Sequence, residues 1–170
     1  NRHRVPVIPY GIGSSLEGHL LAISGGISLD LSRMNRVLRV DADDLTVTVQ
    51  PGVTRTQVNR EVRDTGLFFP IDPGADATIG GMAGNNSCGA HSVMAGKTVD
   101  NIETLDIVTY DGLRLTVGPT SEDELVRIIR AGGRRGEIYG RLRALRDKYA
   151  DLIRARFPKI KRRVSGYNLD

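Results

Sequence analysis

Between residues 5 and 117 apolar and polar positions alternate in short runs broken by glycine, the pattern of half-buried strands. Four runs carry it most clearly: Val5-Pro6-Val7-Ile8, Ile27-Ser28-Leu29-Asp30-Leu31, Val37-Leu38-Arg39-Val40 and Leu45-Thr46-Val47-Thr48-Val49. One helix is expected to interrupt them over residues 54–64. Pro51-Gly52 turns the chain, Thr54 with Gln57 has the spacing of a capping box, Val58 and Val62 share a face, and Gly66 ends the segment. Residues 104–110 and 113–117 read as two further strands joined across Asp111-Gly112, a hairpin signal.

After residue 120 the period lengthens to that of a helix. Ser121 and Glu124 form a second capping box ahead of Leu125, Ile128 and Ile129, and Gly132-Gly133 stops that helix. A longer one follows, with Ile138, Leu142, Leu145, Tyr149, Leu152 and Ile153 on one face, Arg and Lys on the other, and Pro158 at its close. Strands first and helices last give an α+β fold: a small mixed sheet plus an antiparallel sheet, with flanking helices.

Charge is uneven. Residues 1–120 carry 10 basic and 13 acidic side chains, and residues 121–170 carry 14 and 7. The basic excess lies on an amphipathic helix with little aromatic interleaving, so it reads as a solvated face and no nucleic acid is expected as a partner. No apolar run approaches the ~20 residues that span a bilayer. The single cysteine, Cys88, cannot form an intramolecular disulfide, and Asn1-Arg2-His3-Arg4 leads into a strand-like run instead of a secretory signal, so the expected compartment is cytoplasmic.

Two segments carry candidate chemistry. In Pro9-Tyr10-Gly11-Ile12-Gly13-Ser14-Ser15-Leu16-Glu17-Gly18, directly after a strand, glycines let the backbone approach a ligand and successive N–H groups can cradle a pyrophosphate. It is not a Rossmann loop, which needs a helix to open there: Gly18 and Gly25-Gly26 leave no room for one before the strand at Ile27. A turn between strands is the alternative. The second segment, residues 72–90, is built almost wholly of small or amide-bearing residues. It suits a backbone wrapped around a flat polar ligand, and Ile79, Met82 and Val93 anchor it. Two such loops suggest one extended cofactor touched at two places.

Residues 9–18, Pro51-Gly52-Val53-Thr54, Phe69-Pro70-Ile71-Asp72-Pro73-Gly74, Thr78-Ile79-Gly80-Gly81, and the stretch from Gly96 through Asp100-Asn101 to Asp111-Gly112 resemble, in this order, the FAD-binding domain of the vanillyl-alcohol oxidase and p-cresol methylhydroxylase family. Within it the similarity points to the D-lactate, glycolate and D-2-hydroxyglutarate dehydrogenase group. The ending Phe157-Pro158-Lys159-Ile160 and residues 162–169 resemble its large bacterial members, which carry a further iron–sulfur part. The resemblance implies an FAD-binding core over residues 1–120 and a helical extension over residues 121–170. It also implies a fragment that folds but is inactive alone, because the family has a helical segment before Val5 and the rest of the flavin domain and a substrate cap after Asp170.

By the same resemblance, Tyr10, Gly11, Ile12, Gly13, Ser14 and Ser15 wrap the FAD pyrophosphate. Pro73, Gly74, Ala75, Asp76, Thr78, Gly80, Gly81, Ala83, Asn85, Asn86, Ser87, Gly89 and Ala90 line the ribityl chain and ring, and Ile102 packs near the flavin or adenine. Some relatives tether FAD through a histidine directly after the first loop's glycines. Ser14 stands there in this chain, which implies non-covalent FAD. The implied reaction oxidises a D-2-hydroxy acid to a 2-oxo acid by hydride transfer to the flavin, with an electron acceptor that the sequence does not identify. A basic residue before Ser165-Gly166-Tyr167 would grip the substrate carboxylate, with Arg162, Arg163 and Lys161 as candidates and a solvated linker as the alternative. The catalytic base and a divalent metal belong, in that group, to residues beyond this chain; His3, His19 and His91 lack metal-type spacing. Two other readings stay open: an FAD-carrying electron-transfer subunit without hydroxy-acid chemistry, and a cofactor-free binding module with a basic helix.

Overall fold

A computed structural model describes residues 3–160, 162, 163, 167 and 169. The chain divides into two compact units, Asn1–Asn101 and Ile102–Asp170.

The first unit opens with β1 (Val7–Tyr10), which pairs in parallel with β2 (Ile27–Asp30). β1 lies two residues later than the alternation predicts. Pro6 has no N–H to give, so the ladder begins at its carbonyl, which accepts from Ile27 N–H at 2.9 Å. β3 (Val37–Asp41) and β4 (Thr46–Val49) form an antiparallel hairpin with a bulge between Val37 and Arg39. α1 (Arg55–Val62) follows, capped by Thr54, whose hydroxyl accepts the Gln57 N–H at 3.2 Å; a 3₁₀ turn, Arg63–Thr65, carries it to Gly66 at φ +76°. Val58 and Val62, the two residues expected on one face, are buried.

Residues 72–90 hold a feature that the sequence reading leaves as loop. α2 (Ile79–Asn85) forms inside it, followed by α3 (Ser92–Ala95) and a 3₁₀ turn, Thr98–Asn101. Gly-Gly-Met-Ala-Gly is a poor helix former, so tertiary bonds supply what propensity does not. Ile79 N–H donates to Val53 O at 2.8 Å and Gly80 N–H to Pro51 O at 2.9 Å. Met82 is fully buried in a cluster with Ile71 and Ala77, which Phe69, Ile79 and Ala95 flank. Gly80 is obligatory for this seating, because a Cβ there would lie 2.6 Å from the Cβ of Pro51.

In the second unit β5 (Leu105–Val108) and β6 (Arg114–Val117) pair antiparallel across the expected hairpin. α4 (Glu122–Ala131) starts at Ser121, whose hydroxyl accepts the Glu124 N–H at 3.2 Å. Gly132, at φ +69°, ends it, and α5 (Gly133–Arg156) runs until Phe157 turns extended before Pro158. The α+β class with small sheets is the one the sequence predicts; the sheets of the described residues are one parallel pair and two antiparallel pairs. Among the described residues no helix is long and apolar enough to cross a membrane.

Candidate cofactor site

Both glycine-rich segments lie in the first unit, and the structure brings them together. No helix opens after Gly13, in keeping with the exclusion of a Rossmann loop; residues 11–26 run as bends and turns to β2. The helix beside the loop is α2, far later in the chain. Gly11 packs on the residue that caps it: a Cβ on Gly11 would stand 2.7 Å from the Thr78 hydroxyl. That hydroxyl accepts the Gly81 N–H at 3.3 Å, so it is held in place. Gly13 lies at φ +72° with the Tyr10 ring folded against it, the ring Cζ 3.0 Å from where a Cβ would be.

Among the described residues, no protein acceptor takes the backbone N–H groups of Gly11, Ile12, Gly13, Ser14 or Ser15. Successive donors without acceptors around a left-handed glycine are what an anion nest requires. The far end of the loop is tied down by Glu17, which accepts from the Ser15 hydroxyl. Its carboxyl is held below the usual range by that hydroxyl first, with a smaller contribution from the Asn85 side chain at the end of α2. The loop thus meets α2 at both ends, through Gly11 on Thr78 and through Glu17 beside Asn85.

In the second segment Pro73, Gly74 and Ala75 form an open turn; nothing lies within 4 Å of a Cβ on Gly74. Asp76 turns its carboxylate to α1 and accepts the Thr56 N–H at 2.9 Å. Burial works to raise its pKa, and hydrogen bonds from Thr56 and Thr54 outweigh this, so its carboxyl lies below the usual value. Gly80, Gly81, Ala83 and Asn85 lie on α2. Asn86, in the left-handed region at φ 45°, accepts the Val99 N–H on its side-chain oxygen at 3.0 Å, and the Ser87 carbonyl accepts from Thr98 N–H at 3.0 Å and Thr98 Oγ1 at 2.7 Å. Gly89 presses on Asp72, with Ala90 beside it and half-buried Cys88 before it. The side chains of Asp76 and Asn86 therefore hold backbone.

Ile102 is the first residue of the second unit and is half-buried there. Arg162 and Arg163 belong to the same unit, with the Arg163 guanidinium 5.2 Å from the centre of the Phe157 ring. Lys161, Ser165 and Gly166, part of the expected carboxylate motif, lie outside the described residues. Two cations of the first unit escape sequence reasoning. Lys97 is buried, with Nζ 3.3 Å from Asp100 Oδ2, and the Arg55 Nε is buried without a hydrogen-bond partner. Lys97 left a faint signal as the single lysine of the first 120 residues; Arg55 left none.

A family model described as an FAD binding domain matches residues 1–118. A probable mitochondrial D-lactate dehydrogenase of Danio rerio is 44% identical over 112 residues, 66% of this chain and 22% of the relative. A D-2-hydroxyglutarate dehydrogenase of Pseudomonas putida is 35% identical over 169 residues, 98% of this chain and 17% of the relative. The glycolate oxidase subunit GlcD of Bacillus subtilis is 40% identical over 114 residues, covering 66% and 24%. Among solved structures, an alkyldihydroxyacetonephosphate synthase superposes with a TM-score of 0.61 at 27% identity, over 74% of this chain and 24% of its own. The chain spans 17–24% of the length of these curated relatives.

Proposed function

The chain belongs to the FAD binding domain family, and from that premise we propose that it is the FAD-holding part of an oxidoreductase acting on a D-2-hydroxy acid. The observation that carries the reading is the seating of Gly11 on Thr78. It sets five N–H groups that have no protein acceptor among the described residues beside a second segment of small residues, a donor set that fits a pyrophosphate with a flat ring system to follow. FAD, when bound, takes the hydride from C2 of the hydroxy acid.

The chain's own residues do the holding. Residues 11–15 neutralise the pyrophosphate with backbone dipoles, and Gly11 and Gly13 keep side chains out of its path. The loop between Asp72 and His91 wraps the ribityl chain and ring. FAD is held without a covalent bond, since Ser14 occupies the position where some relatives of the resembled family carry the tethering histidine. Arg162 and Arg163 grip the substrate carboxylate. The hydroxy-acid class rests on the names of the relatives, which are dehydrogenases or oxidases of D-lactate, D-2-hydroxyglutarate and glycolate.

The test is a visible absorption spectrum after incubation with FAD and removal of free ligand. Flavin bands that stay with the chain and come off on denaturation support a non-covalent site. Bands that survive denaturation with the polypeptide would overturn the non-covalent assignment, and a chain that remains colourless would overturn its holding of FAD.

A further inference from the structure

The two ends of the long glycine-rich loop meet at one carboxylate. Asp72 precedes residues 73–90 and His91 follows them. Asp72 Oδ1 accepts the His91 backbone N–H at 2.9 Å, while Oδ2 lies 2.7 Å from His91 Nδ1. An ionised carboxylate only accepts, so Nδ1 carries the proton. Gly89 closes the same neck, since a Cβ there would run into the carbonyl and Oδ1 of Asp72; its N–H goes to Ser92 Oγ at 2.9 Å, fixing the turn. Phe68 stands edge-on to the His91 ring with centroids 6.4 Å apart. The Asp72 carboxyl is held below the usual range by the His91 backbone N–H first and by the ring second.

None of the ligand assignments uses this pair. The middle of the loop has its own anchors in the α2 bonds to Pro51 and Val53 and in the Ser87 bonds to Thr98. Only the neck depends on Asp72. We propose that Asp72 is a positioning residue whose double hydrogen bond to His91 closes the neck of loop 73–90 and thereby sets how long FAD stays in its site. This rests on the functional reading above.

The experiment compares the wild-type chain with D72A, H91N and H91A. Each is loaded with FAD and diluted into FAD-free buffer, and release is followed by the recovery of flavin fluorescence from pH 7 down to about pH 3. Amide exchange of residues 86–92 is measured on the FAD-free chains, with thermal unfolding to confirm that each variant folds. Asp72→Ala, which removes both acceptor oxygens, should release FAD several-fold faster and raise exchange through the neck while unfolding stays cooperative. His91→Asn and His91→Ala keep the backbone bond and should fall between. Wild-type release should stay level to about pH 4 and quicken only below it, as acid protonates Asp72, and the Asp72→Ala rate should lack that rise. Wild-type release rates and unchanged exchange in Asp72→Ala would overturn the proposal. A wild-type chain that never retains FAD overturns the functional reading instead, and the exchange data then decide by themselves whether the clasp holds the loop.

Discussion

Gly11 rests on the hydroxyl of Thr78, so closely that a Cβ on the glycine would stand 2.7 Å from that oxygen. Thr78 cannot swing away at little cost, because the same oxygen holds the Gly81 N–H. Gly11→Ala must therefore either break the α2 cap or push the first glycine loop off its seat. The expected loss is about 1–3 kcal/mol of stability, as for other overpacked sites, together with FAD retention. Gly140→Ala, on α5, is the control: its Cβ meets nothing within 4 Å and its φ is not positive, so it should lose no stability. Urea midpoints and retained flavin absorbance check both.

The cap can be tested from its other side. Thr78→Ala removes the acceptor that Gly81 N–H uses and should cost about 1 kcal/mol, whereas Thr78→Ser keeps the oxygen and should recover most of it. If FAD retention follows the cap, the alanine variant releases flavin faster than the serine variant at equal protein folding, read by fluorescence of the freed flavin.

The strands and both long-helix starts were legible because their signals are local. Thr54 and Ser121 cap as their spacing predicts, by accepting the N–H three residues on. The return half of the first box is not made, since the Gln57 amide donates to Asn35 O at 2.9 Å; a partner 22 residues away is invisible to a local motif. α2 was illegible for the same reason, its first bonds going to Pro51 and Val53. At the site, the glycine loops were visible because close approach demands small residues. The uses of Asp76 and Asn86 were not, because Thr56 and Val99 claim their side chains across 20 and 13 residues.

Acid should destabilise the chain with a definite sign. Asp111 is held below the usual carboxylate range by the Thr109 hydroxyl and then by Arg134, and Glu137 by Arg134. A carboxyl whose pKa is lower folded than unfolded binds more protons in the unfolded state. Its stabilisation is therefore complete above the unfolded value of about 4 and fades as pH falls through the folded one. Stability should be level in these groups from neutral pH to about pH 5 and decline below that. Arg134→Gln removes the shared partner and should flatten the acid limb, measured as urea midpoints between pH 7 and 3.

Lys97 and Asp100 should respond asymmetrically to mutation. The Lys97 side chain is 7% exposed and its ammonium has Asp100 Oδ2 at 3.3 Å, while the same oxygen accepts the Lys97 backbone N–H at 2.7 Å. Asp100→Asn leaves a buried cation without its counter-charge and weakens the turn that Gly96 starts. Because Asp100 is half-exposed, water offsets part of the loss, and about 1–3 kcal/mol is expected. Lys97→Met removes the charge along with the need to pair it, keeps the aliphatic bulk, and should stay within about 1 kcal/mol of wild type. Equal losses in the two variants would mean that the lysine stabilises through its charge after all, and denaturant midpoints for both, with the double variant to give the coupling, decide it.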